Sequence, residues 1–360
     1  MALNAGTELN FVFFDDPLLL YNAMLEDIKN AQKYIYIETY KFGNDPIGER
    51  FRDILTKKAK QGVEIKILID SWGTAVNEYF FIELIRLGGE VTFFEKLKLS
   101  FDILSKNHRR NHRKLFIVDD KISYIGSANI SNHSINWRES VLRLEDTFAV
   151  HFKKIFLEDY LISKKIFPNK INYTRSVRFN GFEIIKDVPS TIVQATRKKY
   201  LSLIKAAKRE IIIESPYFLP GSIVRKALLD AAKKGVEITI ITPQHSDVTL
   251  FDILRNKYLG QFYKNNIHIL LYRPQNLHAK LMFIDDEVFV IGSSNFDYRS
   301  FRFQHEINLV GKNKSIIEVI ARHIEESKAD CIDFNYTLWQ KRPWILKTFE
   351  WFLVPVRRFF

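Results

Sequence analysis

Two stretches of the chain carry the same chemically active residue types at the same spacing. Residues 111–129 read NHRKLFIVDDKISYIGSAN, and residues 277–295 read LHAKLMFIDDEVFVIGSSN. Both contain the pattern His-x-Lys-x4-Asp-x6-Gly-Ser-x-Asn, and equivalent positions lie 166 residues apart (278 − 112 and 295 − 129). A pattern of six specified positions that occurs twice indicates a functional motif present in two copies.

The residue types in each motif suit chemistry at a phosphate group. The apolar run after Lys114 is typical of a buried strand, and alternation along it places His112 and Lys114 on one face. A neutral imidazole can attack phosphorus while the neighbouring ammonium holds the phosphate oxygens. His278 and Lys280 repeat this pair in the second motif.

Other motif residues could also bind the phosphate. A Gly-Ser pair lets backbone and hydroxyl groups approach an oxyanion closely, and the asparagine that follows adds amide donors. These candidate phosphate ligands are Ser127, Asn129, Ser293 and Asn295. Displacement at phosphorus needs a nucleophile on one side and a proton donor on the other, and one copy supplies only half of this. Two facing copies predict a single active site that requires no metal and no other cofactor.

The overall composition narrows the class of protein. Hydrophobic residues at 46% and aromatic residues at 14% are sufficient for packed cores and exclude a disordered chain. The formal charge of +12 favours an anionic partner, either nucleic acid or an acidic membrane surface. The single cysteine excludes an internal disulfide and a cysteine-based zinc site. Because we find neither a signal peptide nor an apolar run of about 18 residues, we expect the protein to stay in the cytoplasm.

The elements around the motifs alternate between helix and strand. The periodicity predicts helices over residues 18–31, 47–61 and 77–87, and strands over residues 34–40, 63–70 and 90–94. Residues 30–42 and 58–70 have similar counterparts at residues 206–218 and 231–243, which indicates an internal repeat. Alternation of this kind favours a sheet flanked by helices in each copy.

The repeat and the tail together define the expected domains. We predict a first lobe at residues 1–165 and a second lobe at residues 175–340, with a lysine-rich connection between them. Residues 341–360, KRPWILKTFEWFLVPVRRFF, are rich in aromatic and basic residues but too short in their apolar part to span a bilayer. We expect this tail to be an amphipathic helix in a lipid interface, the alternative being a helix docked on the protein itself.

The two motifs resemble the HKD motifs of the phospholipase D superfamily, and the similarity to bacterial cardiolipin synthases covers nearly the whole chain. RRNHRKLFIVDD at residues 109–120 is similar to the first motif of that subgroup, and SSNFDYRSFRFQHEINL at residues 293–309 is similar to the segment at and after the second. The resemblance implies an α/β fold with a pseudo-symmetric pair of phospholipase D-like α-β-α sandwich lobes. One active site would lie between the lobes, and a short interfacial helix would follow them.

The resemblance implies a role for the paired residues. His112 would be the nucleophile that forms a covalent phosphohistidine intermediate, and His278 would act as general acid and then as base. Lys114 and Lys280 would bind phosphoryl oxygens together with the two asparagines.

The resemblance also implies supporting roles for four carboxylates. In the family a glutamate downstream of each motif orients the imidazole, and Glu139 and Glu306 stand 27 residues after His112 and 28 residues after His278. Asp119 and Asp285 complete the catalytic motifs, and we expect them to hold structure rather than to transfer protons.

The implied reaction joins two phosphatidylglycerol molecules into cardiolipin and releases glycerol. Anionic phospholipids would be the partners, and the protein would bind peripherally, through its tail, to the cytoplasmic side of the cell membrane. The chain lacks the N-terminal hydrophobic hairpin of many subgroup members, which favours peripheral attachment. It also has SANISNHSINWRES at residues 127–140 where many members are rich in glycine, so the acceptor alcohol is left open.

Three alternatives stay open at this point. A phospholipase D-type hydrolase would transfer the same phosphatidyl group to water. An HKD endonuclease would use the positive charge for nucleic acid, but we find no array of base-stacking aromatic residues. A non-catalytic membrane scaffold is the least favoured, because both motifs are intact. Glu38, Asp70 and Glu214 could bind glycerol hydroxyls beside the site, although salt bridges or helix caps are the favoured interpretation.

Overall fold

The structure is a computed structural model that describes residues 9–95, 109–164, 176–190 and 192–353. In the first half the strands are β1 (Phe11–Phe14), β2 (Tyr34–Thr39), β3 (Glu64–Asp70), β4 (Glu90–Phe94), β5 (Arg110–Asn111), β6 (Leu115–Val118), β7 (Ile122–Gly126) and β8 (Val141–Glu145). The helices are α1 (Pro17–Asn30), α2 (Pro46–Lys60), α3 (Ile82–Arg86) and α4 (Thr147–Ser163), with 3₁₀ turns at Glu78–Phe81 and Asn132–Ser134.

The second half repeats and extends this series. Its strands are β9 (Ser176–Phe179), β10 (Phe182–Asp187), β11 (Glu210–Glu214), β12 (Phe218–Leu219), β13 (Glu237–Pro243), β14 (Ile267–Tyr272), β15 (Leu281–Ile284), β16 (Val288–Gly292), β17 (Phe296–Asp297), β18 (Gln304–Gly311) and β19 (Cys331–Asp333). Its helices are α5 (Ala195–Ala206), α6 (Ser222–Lys233), α7 (Thr249–Tyr263), α8 (Tyr298–Phe303), α9 (Lys314–Ala329), α10 (Tyr336–Gln340) and α11 (Trp344–Leu353).

Two large sheets share the same internal order. The first runs β1-β8-β7-β6-β2-β3-β4, and the second runs β19-β14-β13-β11-β15-β16-β18-β10-β9. In each sheet a parallel trio, β2-β3-β4 or β11-β13-β14, joins an antiparallel set that carries the motif, β6-β7-β8 or β15-β16-β18. This arrangement confirms the predicted α/β fold of two pseudo-symmetric lobes. The connection between the lobes falls mainly on residues 165–175, outside the described residues, so its exact place stays a prediction.

The first helices begin where the sequence supplies capping side chains. The Asp16 carboxylate accepts hydrogen bonds from two backbone amides at the start of α1, Asp45 does the same for α2, and each helix opens with a proline. The helix expected over residues 77–87 is instead divided into a 3₁₀ turn and the short α3. The division falls at Phe81, whose backbone departs from helical geometry while its side chain is fully buried in the core.

Three hydrophobic clusters hold the sheets and helices together. One lies under α1, α2 and α3 on the outer face of the first sheet, and another lies under α5, α6 and α7 on the outer face of the second. The third cluster contains residues of both sheets together with the apolar faces of α4 and α9. Because this cluster contains residues of both lobes, close packing between the lobes supports both motifs.

The backbone at each motif histidine is hydrogen-bonded to the opposite lobe. Strand β5 of the first half pairs in parallel with β18 of the second, and the His112 backbone amide donates to the His305 carbonyl at 3.0 Å. In the second motif the His278 amide donates to the Arg138 carbonyl of the first half at 2.7 Å. The two motifs are therefore fixed against each other by backbone hydrogen bonds.

The C-terminal helix α11 packs against α7. Leu353 contacts the small cluster of Leu219, Phe251 and Leu254, and the Arg342 guanidinium pairs with Glu350 at 2.5 Å. None of the helices within the described residues has the length and apolar character needed to cross a bilayer.

Candidate active site

Each motif places a histidine and a lysine immediately before a buried strand. His112 is 6% exposed and Lys114 is 4% exposed at the start of β6, and their counterparts before β15 are buried to the same degree. The Lys114 ammonium donates to the His112 carbonyl at 2.8 Å, and Lys280 donates to His278 at 2.9 Å. One hydrogen bond thus fixes each ammonium beside its histidine while other N–H groups stay free for a ligand.

Each imidazole is held by the glutamate of the opposite lobe. His112 Nδ1 lies 3.1 and 3.3 Å from the two carboxylate oxygens of Glu306, and His278 Nδ1 lies 2.9 Å from both oxygens of Glu139. The resemblance to the HKD family implied an orienting role for both glutamates, but not this exchange between lobes. With Nδ1 occupied, Nε2 is the nitrogen that each histidine offers for reaction.

The two motif serines form hydrogen bonds with the glutamates and do not line the cleft. The Ser127 hydroxyl donates to Glu139 at 2.5 Å, and the Ser293 hydroxyl donates to Glu306. Both serines are fully buried, and neither lines the cleft. Their position differs from the expected phosphate contact, because the segment before β8 that carries Glu139 and the strand β18 that carries Glu306 lie directly beside the serines.

The motif glycines allow each motif strand to lie close to the segment that carries the glutamate. A Cβ at Gly126 would collide with the Ser140 carbonyl on the path to β8, and a Cβ at Gly292 would collide with Ile307 of β18. These neighbouring segments carry Glu139 and Glu306. The glycines therefore let the orienting glutamates reach the site, which is a different use from the expected approach to an oxyanion.

The motif aspartates lie at the far end of the strands. Asp119 accepts hydrogen bonds from the backbone amides of residues 32, 33 and 34, and Asp285 accepts from those of residues 208, 209 and 210, all at 2.7–3.0 Å. Asp119 lies five positions after Lys114, which is roughly 16 Å along a strand. Their position agrees with the expectation that they hold structure.

The two asparagines present free amide groups to the cleft. Asn129 and Asn295 both line it, and the buried Oδ1 atoms of both lack a hydrogen-bond partner within the described residues. A buried amide oxygen without a partner is costly, so such an atom is typical of a place where a hydrogen-bond donor of a ligand completes the bonding.

Burial alters the titration of the two lysines. Burial, together with the neighbouring Lys280, lowers the pKa of Lys114 to about 7. Burial lowers the pKa of Lys280 to about 8, although the glutamates behind the histidines partly oppose this. An anionic phosphate between the lysines would favour their charged forms, so the site is electrostatically suited to an anion.

The two histidines differ in how strongly their glutamates support a proton. Burial and the adjacent lysines lower the pKa of His112 well below its ordinary value, while burial raises the pKa of Glu306. Burial also lowers the pKa of His278, but Glu139 opposes this. His278 and its neighbours keep the pKa of Glu139 low against the effect of burial. Glu139 therefore supports a proton on His278 more strongly than Glu306 supports one on His112, and the first pair favours an uncharged imidazole.

A cleft of ≈ 390 Å³ connects both histidines to the surface. Its aromatic walls are Tyr40, Trp72, Trp137, Tyr217 and Phe251. Tyr40 packs edge-on against His112, and Trp137 packs against His278, with ring centroids 5.1 and 5.0 Å apart. These rings restrict the access of water to the reacting nitrogens.

Arg299 adds a cation to the cleft that motif reasoning missed. It lines the cleft, and its buried Nε has no hydrogen-bond partner among the described residues. The only sequence signal was its place four residues after Asn295, in the segment that resembles the family. An unpaired guanidinium here is suited to a phosphate oxygen.

The carboxylates considered for glycerol binding instead belong to buried networks. Glu38 accepts a hydrogen bond from the Asn111 side chain at 2.8 Å, and Asp70 accepts from the Asn111 backbone amide at 2.8 Å. Glu214 lies 2.9 Å from Nε2 of His323. All three carboxylates are almost fully buried, so they stabilise the structure around the cleft.

Comparison with known proteins agrees with this geometry. The family described as "Cardiolipin synthase, PLD-like domain" matches residues 24–160 and again residues 200–328. The chain is 29% identical over 343 residues to the cardiolipin synthase of Clostridium perfringens, covering 91% of this chain and 72% of that one. It is 30% identical over 358 residues to cardiolipin synthase 1 of Staphylococcus epidermidis, covering 95% of this chain and 72% of that one.

A solved structure shows the same fold at low sequence identity. The phosphatidylserine synthase of Haemophilus influenzae superimposes with a TM-score of 0.77 at 13% identity, covering 97% of this chain and 94% of that one. Both copies of the motif lie inside or beside the two matched regions, one on each side of the cleft. The chain therefore belongs to the phospholipase D superfamily, in the family of cardiolipin synthase-type domains.

Proposed function

We propose that the protein transfers a phosphatidyl group from one phosphatidylglycerol to a second, forming cardiolipin and glycerol. The observation that carries this proposal is the pair of histidines in one cleft, each held through Nδ1 by a glutamate of the opposite lobe. This arrangement offers two Nε2 atoms to one phosphate, as a two-step displacement requires. The relatives from Clostridium and Staphylococcus, named as cardiolipin synthases, support the choice of lipid substrate.

In the first step His112 Nε2 attacks phosphorus and the bond from phosphorus to the glycerol oxygen breaks. His278 donates a proton to that oxygen, and glycerol leaves. Lys114, Lys280 and the amides of the two asparagines hold the phosphoryl oxygens as negative charge increases on them. The phosphatidyl group then remains on His112 as a phosphohistidine.

In the second step the primary hydroxyl of another phosphatidylglycerol takes the place of glycerol. His278, now neutral, removes the hydroxyl proton while the oxygen attacks phosphorus, and the bond from phosphorus to His112 breaks. The products are cardiolipin and the original enzyme, and no step passes through a metal. Water in place of the alcohol would give phosphatidic acid, so the aromatic walls of the cleft favour transfer over hydrolysis.

The difference between the two pairs supports the order of their roles. An uncharged imidazole is needed for attack, and burial and the lysines hold the pKa of His112 well below its ordinary value. A general acid must hold a proton, and the ionised Glu139, in contact through both oxygens, favours the imidazolium of His278.

The test of this proposal uses purified protein, phosphatidylglycerol vesicles and EDTA, with the His112→Ala variant as a control. Cardiolipin with about one glycerol released per cardiolipin is the expected result. Phosphatidic acid without cardiolipin would identify a hydrolase. Absence of lipid turnover, together with nicking of plasmid DNA by the same preparation, would replace the lipid reaction with an endonuclease.

The exposed edge of the C-terminal helix supports peripheral binding to the cytoplasmic side of the cell membrane. Trp344 is 74% exposed and Ile345 is 62% exposed on α11, next to basic residues. The helix packs on α7, whose Phe251 lines the cleft, so a membrane at this edge would lie near the cleft.

The membrane contact has its own test. We expect the double variant Trp344→Ser/Ile345→Ser to bind phosphatidylglycerol vesicles about tenfold more weakly in co-sedimentation. The matched control is Ile223→Ser, which changes a 54% exposed isoleucine on α6. If both variants bind the vesicles equally well, α11 is not the membrane contact. The proposed reaction would be unaffected by that result.

A further inference from the structure

A buried histidine outside the active site lies between two carboxylates. His323 is on α9 and is 2% exposed. Its Nε2 lies 2.9 Å from Glu214, its Nδ1 lies 3.5 Å from Asp15, and the Phe13 ring packs edge-on against it at 5.0 Å. Both ring nitrogens of His323 therefore face acceptors, which suits an imidazolium.

Two residues that contact His323 also hold the catalytic pair of the second motif. The Asp15 carbonyl accepts the Glu139 backbone amide at 2.9 Å, and the Arg138 carbonyl accepts the His278 backbone amide at 2.7 Å. Arg138 also pairs with the Asp15 carboxylate at 3.1 Å and donates to the His323 carbonyl at 2.9 Å. A continuous set of contacts thus runs from His323 to the backbone of both members of the pair.

We propose that His323 is a positioning residue that sets the geometry of the general-acid pair His278–Glu139. The charged imidazole holds Asp15 and Glu214 together, and Asp15 and Arg138 hold the backbone of the pair. Without that charge, the buried Glu214 would lose its cationic partner, and Asp15, whose side chain is 32% exposed, would shift away from it. This inference rests on the proposed function, because it assigns the role of acid to His278.

The charges around His323 favour its protonated form. The charged groups that face it are Glu214 from the end of β11, Asp15 after β1 and Arg138 from the loop before β8. Burial alone would lower the pKa of His323, but Glu214 and Asp15 more than offset this and raise it above its ordinary value. The hydrogen bond from His323 in turn lowers the pKa of Asp15.

The equivalent place in the first lobe has no histidine. Glu38 occupies in β2 the register position that Glu214 occupies in β11, since they pair with Leu115 and Leu281 at equivalent motif positions. The cation near Glu38 is Arg113, at 3.8 Å. A histidine therefore supports the second pair but not the first. Replacing His323 should affect protonation of the leaving group more than nucleophilic attack.

The experiment compares two substrates in full-length His323→Gln enzyme. Phosphatidylglycerol releases glycerol, whose oxygen must be protonated as it leaves, whereas phosphatidyl-p-nitrophenol releases p-nitrophenolate, which needs no proton. We expect glycerol release to fall by about 10- to 100-fold, and the single-turnover burst of p-nitrophenolate to change by less than about threefold. The burst amplitude also counts correctly folded enzyme, so general damage to the fold is measured in the same tube.

Two more variants make the result specific. Glu214→Gln should produce the same selective loss, and His268→Gln, which changes an exposed histidine on β14, should change neither rate. Equal loss of both rates in His323→Gln, or no loss of glycerol release, would overturn the positioning role. A wild-type enzyme that turns over neither substrate would contradict the proposed function itself and this inference with it.

Discussion

The two histidine–glutamate pairs are alike where they face the cleft and different behind it. Behind the first pair stands a permanent cation, Arg113, which ion-pairs with Asp159 and donates to the carbonyls of Glu306 at 3.1 Å and Asp187 at 2.6 Å. Behind the second pair stands a titratable one, His323. A duplicated fold can therefore keep the geometry of two reacting groups and still give them different electrostatic surroundings.

That difference matters because a two-step displacement needs two unlike histidines. One must stay uncharged to attack, and the other must carry a proton to the leaving oxygen. The motifs themselves are nearly identical, so the distinction must come from what lies around them. In this protein it comes from the glutamates: the pKa of buried Glu306 is raised, and that of Glu139 is lowered by His278 and the nearby Lys280 despite burial.

The largest expected effect separates the histidines themselves. His112→Ala and His278→Ala should each reduce cardiolipin formation by about 10⁴-fold or more, because each removes one half of the displacement. With phosphatidyl-p-nitrophenol, His278→Ala should keep the burst of p-nitrophenolate and His112→Ala should lose it. Stopped-flow absorbance measures both, and a burst in His112→Ala but not in His278→Ala would reverse the assigned roles.

A smaller effect separates the glutamates. Glu139→Gln and Glu306→Gln should each lower glycerol release by about 10²- to 10³-fold, since an amide supports the developing imidazolium less well. Only Glu306→Gln should also slow the p-nitrophenolate burst, because Glu306 lies on the nucleophile across the lobe interface. The control is Glu325→Gln, which changes a glutamate in an exposed pair. A burst that slows in Glu139→Gln alone would disprove the crossed arrangement.

The cations behind the pairs should differ in their contribution to stability. Arg113→Met removes a buried cation that pairs with both Glu38 and Asp159, and only Lys186, at 3.4 Å from Asp159, would remain paired with either of them among the described ion pairs. We expect the free energy of unfolding to fall by about 3–5 kcal/mol. The control Arg178→Met removes a 76% exposed side chain from a surface pair and should cost less than about 0.5 kcal/mol. Urea denaturation measures both, and similar values would show that the network of Arg113 stabilises no more than a surface pair.

The smallest expected effect separates the lysines by pH. As the pH rises through about 7 and then about 8, Lys114 and Lys280 of the free enzyme lose their charge. The value of kcat/KM should therefore fall by about tenfold between pH 7 and pH 9. The alkaline fall of kcat should come at higher pH, because a bound phosphate favours both ammonium groups. Initial rates measured across this range provide the check. A kcat/KM that stays constant up to pH 9 would contradict the lowered pKa values of the two lysines.

The sequence predicted the fold and the paired histidines because both follow from local patterns. Alternation around the apolar strands located His112 and Lys114, and the internal repeat implied two equivalent lobes. The crossing of the glutamates had no such signal: Glu139 and Glu306 stand at matching distances after their own motifs, and only the packing of the lobes brings each to the opposite histidine.

Other roles were hidden for a related reason. The sequence suggested that the Ser127 hydroxyl binds a phosphate, but the segment before β8 places Glu139 beside it. A lone histidine on an apolar helical face, such as His323, is usually an ordinary core residue, and its two carboxylates come from distant parts of the chain. Arg299 had no pattern of its own beyond the family segment. Residues of these kinds are defined by tertiary contacts rather than by spacing.

The most direct test of the central claim is to trap the covalent intermediate and locate it. Wild-type enzyme is mixed with phosphatidyl-p-nitrophenol, quenched within the burst under alkaline conditions that preserve phosphohistidine, digested and sequenced by mass spectrometry. The account predicts the phosphatidyl group on His112 and none on His278. Modification of His278 instead, or a full burst with neither histidine modified, would contradict it.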